Sequence, residues 1–202
     1  KKVLPVVLPG KSDSASMDMV VELLLMTGRS LPEVMMILVP EAWEKNKEMS
    51  PAKRAFYEYN SCLMEPWDGP ASIPFTDGDF IGAVLDRNGL RPSRYTVTKD
   101  GYVIMSSETG VIDIALHGRL EPGKMFLVDM KAGRIVNDEE IKEAIASRHP
   151  YQEWLDANLV HLKDIPYNDC PVFLDEGPLE TRLSTFGYTQ EDIDTIILPM
   201  AL

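Results

Sequence analysis

Cysteine is scarce in these 202 residues, with Cys62 and Cys170 alone. Two are too few for a disulfide-stapled scaffold, and beside eleven methionines they fit a reducing compartment, the cytoplasm. Histidine is as thin, at His117, His149 and His161, and none stands at metal-ligand spacing from another or from a cysteine. No metal site is predicted. Apolar runs stay short, such as Leu23-Leu24-Leu25-Met26, so no segment is predicted to span a bilayer. Lys1-Lys2-Val3-Leu4-Pro5 leads into no signal-peptide pattern. Bases are outnumbered, 20 against 32 acids, which leaves a net charge of −12. That balance argues against a nucleic-acid surface, which needs clustered Lys and Arg. Glycine-rich phosphate loops and the Gly-x-Ser-x-Gly elbow of serine hydrolases are also missing.

What is present reads as globular: 45% hydrophobic and 26% charged residues, in a length that makes one or two domains. Residues 1–64 read as helical. Ser12-Asp13-Ser14 offers cap chemistry ahead of Met17, Val20, Val21, Leu24 and Leu25 at helical spacing, and Gly28 stops that helix. Ser30-Leu31-Pro32-Glu33 reads as a capping box opening a second helix that Pro40 ends. Ser50-Pro51 opens a third, with Ala55, Phe56, Tyr59 and Leu63 on one face.

The period then changes to two. Asp77-Gly78, Asp100-Gly101 and Ala132-Gly133 each separate a pair of apolar-rich strands, and the Asp-Gly pairs suggest type I′ turns. Three hairpins in a row specify an antiparallel sheet with the earlier helices over one face. Asn137-Asp138-Glu139-Glu140 opens another helix, its acids complementing the dipole. Residues 148–178 read as an irregular connection, and two short helices come after it, one closed by Gly187 and one capped by Thr189.

Most polar residues have bland readings. Seven methionines in the first third read as core filler, Glu41 and Glu44 as solvated face charges, and Cys62 as a buried inert thiol. A self-contained Cys62 hydrolase would need a histidine partner that the spacing does not supply. Two stretches invite more. Asp13 either caps its helix or captures a ligand's ammonium group. Leu85-Asp86-Arg87-Asn88-Gly89-Leu90-Arg91-Pro92-Ser93-Arg94-Tyr95 carries three arginines, read as an Asp–Arg network holding a tight crossover.

Several blocks resemble the large subunit of glutamate synthases. They are Ser12-Asp13-Ser14-Ala15-Ser16, Ala42-Trp43-Glu44, Lys53-Arg54-Ala55-Phe56-Tyr57-Glu58-Tyr59 and Met64-Glu65-Pro66-Trp67-Asp68-Gly69-Pro70, then Leu85 to Pro92, Ser107-Glu108-Thr109-Gly110 and Leu120-Glu121-Pro122-Gly123-Lys124-Met125. The resemblance runs through nearly the whole chain, and the turn at Asp86 is similar to other class II glutamine amidotransferases. It implies an α+β fold, part of a four-layer αββα Ntn-hydrolase sandwich with antiparallel sheets. Residues 1–148 would be the C-terminal half of the amidotransferase domain, and 149–202 a linker and the start of a central domain.

The implied activity is hydrolysis of glutamine to glutamate and ammonia, which passes to 2-oxoglutarate in ammonia assimilation. The family's nucleophile is an N-terminal cysteine that lies, with the oxyanion-hole residues, upstream of the matched region. No catalytic residue is therefore assigned here, and the 202 residues alone are expected to release no glutamate from glutamine. Asp13 corresponds to the family's aspartate for the α-ammonium of glutamine, with Ser12 and Ser14 as pocket neighbours. Arg87 and Arg91 read as structural. FMN and an iron–sulfur cluster are implied outside this chain, and a small subunit or ferredoxin as partner. The alternative is a non-catalytic α+β interaction module that kept the fold. Apolar strand residues such as Val84, Val103 and Met105 are expected to be partly uncovered, with self-association as a consequence.

Overall fold

The computed structural model describes residues 3–108, 114–166 and 178–201. Thr109 and Gly110 of the quoted blocks, and residues 167–177 of the irregular connection, Cys170 among them, lie outside them. The chain divides into two units, one through Leu159 and one from Val160.

The first unit opens with helices α1 (Asp13–Met26), α2 (Leu31–Leu38) and α3 (Pro51–Ser61). Ser12 and Ser50 cap α1 and α3 as their positions predict, each accepting from a backbone N–H three residues on. Ser30 does not complete a capping box. Its hydroxyl accepts instead from Arg148, and Glu33 pairs with Arg29 and Arg148, because the two arginines offer charged donors. Helix α2 is buried throughout, so it forms the centre of the helical layer. Leu63 lies beyond the end of α3 and is exposed.

Seven strands come next: β1 (Ser72–Thr76), β2 (Phe80–Leu85), β3 (Arg94–Thr98), β4 (Val103–Ser106), β5 (Ile114–Arg119), β6 (Met125–Asp129) and β7 (Arg134–Val136). All pairings are antiparallel, and the three expected hairpins form. They do not make one sheet. The first and third join through β2 and β6 in the order β1-β2-β6-β7, whereas the second pairs with β5 in the order β4-β3-β5. Positive φ among the described residues is confined to glycine, so the Asp-Gly turns are not type I′, which needs two such residues. Strand β5 has no hairpin signal beside it. Its Gly118 is required by packing, since a Cβ there would meet the Tyr95 ring at 2.3 Å.

Side-chain alternation stacks these parts. In β2 and β6, Val84 and Met125 join the helical core, whereas Ala83, Leu85, Phe126 and Val128 face the three-stranded sheet. Tyr95 stacks on Phe126 between the sheets, their centroids 4.4 Å apart. The described first unit is therefore a helix layer, a four-stranded sheet and a three-stranded sheet, an α+β architecture. Val84 is fully covered by the helices, contrary to expectation. Val103 is partly uncovered as expected, because the sheets splay and leave a cleft of about 660 Å³ between Ile81, Val97, Val103, Met105, Val128 and Ile135.

Helix α4 (Asp138–Ala146) starts at Asn137, and α5 (Tyr151–Asn158) forms where the sequence reads as irregular. Tyr151 and Leu155 bury against α3, with Tyr151 edge-on to Phe56, and this tertiary packing replaces weak local signals. The second unit holds α6 (Leu179–Thr185), α7 (Gln190–Asp192), a π-helical turn Ile193–Ile197 and α8 (Leu198–Ala201). Thr189 and Asp192 form a capping box there. Among the described residues no helix is long and apolar enough to cross a membrane.

Candidate functional site

At the start of α1 the capping work falls to serine. Ser12 Oγ accepts from the Ala15 N–H at 3.3 Å and lies 3.2 Å from Ser14 Oγ. Asp13, in the first helical position, is exposed and makes no hydrogen bond or ion pair among the described residues. It stands in the part of a helix where a carboxylate is well placed against the dipole.

The turn after β2 is held by Asp86, not by an Asp–Arg network. Its buried carboxylate accepts from the N–H groups of Ala71 at 3.1 Å, Asn88 at 2.9 Å and Gly89 at 3.1 Å. The arginines reach outward: Arg87 pairs with Asp68 at 2.9 Å, and Arg91 Nε donates to the Pro70 carbonyl at 3.4 Å. Backbone bonds carry the tie onward, since the Asp86 carbonyl accepts from Gly123 N–H at 3.0 Å. Three blocks distant in sequence, around 68–71, 86–91 and 120–124, are thereby fixed together.

Behind them lies a charge network that the sequence does not announce. Lys142, 2% exposed, donates to the Gly123 carbonyl at 2.7 Å and pairs with Asp138 at 2.9 Å and Glu41 at 3.3 Å. Lys53 bonds Glu139 at 2.6 Å and stands 3.8 Å from Glu41. Lys124 stands 3.2 Å from both Asp138 Oδ2 and Glu139, although Asp138 Oδ2 has no well-angled hydrogen bond. Three carboxylates balance three ammonium groups, so the two buried lysines, Lys53 and Lys142, each have a carboxylate partner. Glu41 is therefore a half-buried ion-pair partner and not a solvated face charge, whereas Glu44 is exposed as predicted. Burial, then the Glu41 carboxylate that accepts its hydroxyl at 3.0 Å, raises the Tyr57 pKa well above the usual tyrosine value.

The hydrogen bond from Lys53 holds Glu139 below the ordinary carboxylate range. A depressed folded-state value means that Glu139 adds stability above its unfolded pKa of about 4.3 and loses it as pH falls through the lower folded value. Glu139→Gln should therefore flatten the fall in denaturation midpoint below about pH 4. An unchanged acid slope would show that the Lys53 pairing adds nothing.

Cys62 caps the end of α3 and is exposed, so the expectation of a buried thiol is corrected. Its helix layer lies across the four-stranded sheet from the sheet carrying His117, so no Cys62–His117 dyad forms. The described residues contain no group of three metal-ligating side chains close enough to hold an ion.

Comparison with known proteins fits this arrangement. Residues 1–154 match the family of class-II glutamine amidotransferases. The chain is 51% identical over 205 residues to the glutamate synthase [NADPH] large chain of Bacillus subtilis, covering 98% of this chain and 13% of that one. It is 47% identical over 214 residues to the glutamate synthase [NADH] of Schizosaccharomyces pombe, covering 98% of this chain and 10% of that one. Against the ferredoxin-dependent glutamate synthase of Antithamnion sp. the identity is 45% over 197 residues, covering 94% and 13%. The chain thus spans about an eighth or less of the length of these relatives. Across most of its length, and with the blocks that its turns and helix starts hold in place, this chain belongs to the class-II glutamine amidotransferases.

Proposed function

We propose that this chain is the C-terminal half of the glutamine-hydrolysing domain of a glutamate synthase large chain, acting in ammonia assimilation in the cytoplasm. The longer protein releases ammonia from glutamine for transfer to 2-oxoglutarate. Its thiol nucleophile, FMN and iron–sulfur cluster sit in parts of the protein outside these residues, and its electrons come from a nicotinamide-linked small subunit or from ferredoxin. Relatives named for NADPH, NADH and ferredoxin match at similar identity, so this stretch does not track the donor. On this reading the residues through about 148 belong to the amidotransferase half, α5 packs with them, and the chain after α5 leads toward the next domain.

Within this chain, Asp13 receives the α-ammonium of glutamine, with Ser12 and Ser14 beside it. The observation that carries the assignment is the division of labour at the start of α1: Ser12 caps, and the Asp13 carboxylate has no partner among the described residues. A carboxylate accepts from an ammonium group without rearrangement. In the longer protein Asp13→Asn keeps the shape and removes the charge. A hydrogen bond to a charged group contributes about 1.5–3 kcal/mol, so the KM for glutamine should rise about ten- to a hundredfold. Synthesis from free ammonia should persist. If both rates fall together, Asp13 is structural and the assignment fails.

A further inference from the structure

Most arginines are partnered among the described residues. Arg29, Arg87, Arg134 and Arg148 meet carboxylates, and Arg54 and Arg91 donate to backbone carbonyls. Arg94 and Arg119 do neither among the described residues, and they stand directly opposite each other across β3 and β5. Like charges facing across a ladder repel, so this arrangement costs stability in the free chain.

Register places both on one face. Tyr95 turns toward the four-stranded sheet and stacks on Phe126, so its neighbours Arg94 and Thr96 point outward, with Arg119, His117, Ser106 and Ile104 paired beside them. Arg94, His117 and Arg119 are all exposed. Two exposed arginines side by side stand out on a chain of net charge −12. Arginine is among the residues that dominate binding energy at protein–protein interfaces.

We propose that this outer sheet face docks a carboxylate-bearing segment of the longer protein, Arg94 and Arg119 each receiving a carboxylate. The chain spans only 13% of the length of the Bacillus relative, which leaves ample protein to supply it. This inference does not rest on the chemistry assigned to Asp13.

Two measurements on the 202-residue chain test it. Arg119→Gln should raise the melting temperature at low salt, and the gain should shrink at high salt as the repulsion is screened. A fall would mean that the arginine already has a partner in the chain, and would overturn the proposal. A hexaglutamate peptide, followed by amide shifts, should bind saturably at 94–98, 104–106 and 115–119. Affinity should drop at least tenfold in Arg94→Gln/Arg119→Gln. Inorganic phosphate binding there as tightly as the peptide would reduce the face to a simple anion site. A dimer abolished by the double variant would make the occupant a second copy. Either result, or no saturable binding, overturns the proposal.

Discussion

Lys142→Met is expected to destabilise the first unit by about 3–5 kcal/mol, the cost of removing one partner from a buried charge pairing. Lys142 is the most deeply buried ammonium in the network, and its loss takes from Glu41 and Asp138 their most buried counter-ion, leaving Lys53 at 3.8 Å and Lys124 at 3.2 Å, and takes the donor from the Gly123 carbonyl. The chain length that separates its partners makes the effect global: Glu41 precedes α3, and Gly123 lies just before β6. Urea denaturation measures the loss directly. A companion experiment identifies its source. Glu41→Gln made in the Lys142→Met background should cost less than Glu41→Gln alone, because it then removes a charge that has already lost one of its two ammonium partners. A Lys142→Met penalty under about 1 kcal/mol would place the lysine with solvent-exposed pairs and refute the buried network.

Asp86→Ala should cost about 2–4 kcal/mol, since three backbone donors lose a charged acceptor at once. Asp86→Asn should be nearly as harmful. Asparagine keeps one oxygen for Ala71 but turns its amide N–H₂ toward the N–H groups of Asn88 and Gly89, setting donor against donor. The turn cannot relax easily, because Gly89 sits at φ +63° and a Cβ there would meet Pro122 Cγ at 2.4 Å. Loss of amide protection should appear at 86–89 and 121–123 together, because the Asp86 carbonyl joins them. Protection retained in both segments with a neutral Asp86→Asn would show that the carboxylate is dispensable.

The two penalties arise in different ways, and so does their visibility in the sequence. Asp86 ahead of Asn88-Gly89 is a local turn signal, and the expectation of an ordered turn holds. Only the donors to its carboxylate differ, being backbone N–H groups in place of arginines. Lys142 gives no local sign. It sits in an amphipathic helix among acids that read as dipole complements, yet Asp138 turns inward to Lys142 and the exposed Glu139 reaches Lys53, while Glu140 pairs with Arg134. Glu41 is paired with a lysine about a hundred residues away. No window short enough to show periodicity contains both.

The same division runs through the fold. Helix starts at Ser12, Ser50, Asn137 and Thr189, helix stops at Gly28 and Gly187, and the three hairpins were all determined by the sequence itself. Each depends on hydrogen bonds or backbone preferences spanning three or four residues, so the determinants are adjacent in the chain. The pairing of β2 with β6 that splits the hairpins between two sheets belongs to the tertiary structure, as do the packing of α5 on α3 and the exposure of Cys62. It also decided how the polar residues at the start of α1 are engaged among the described residues. A cap is a local matter, but whether a carboxylate finds a cation depends on what the rest of the chain brings near it. For Glu41 the fold brings Lys142, and for Asp13 the described residues bring none.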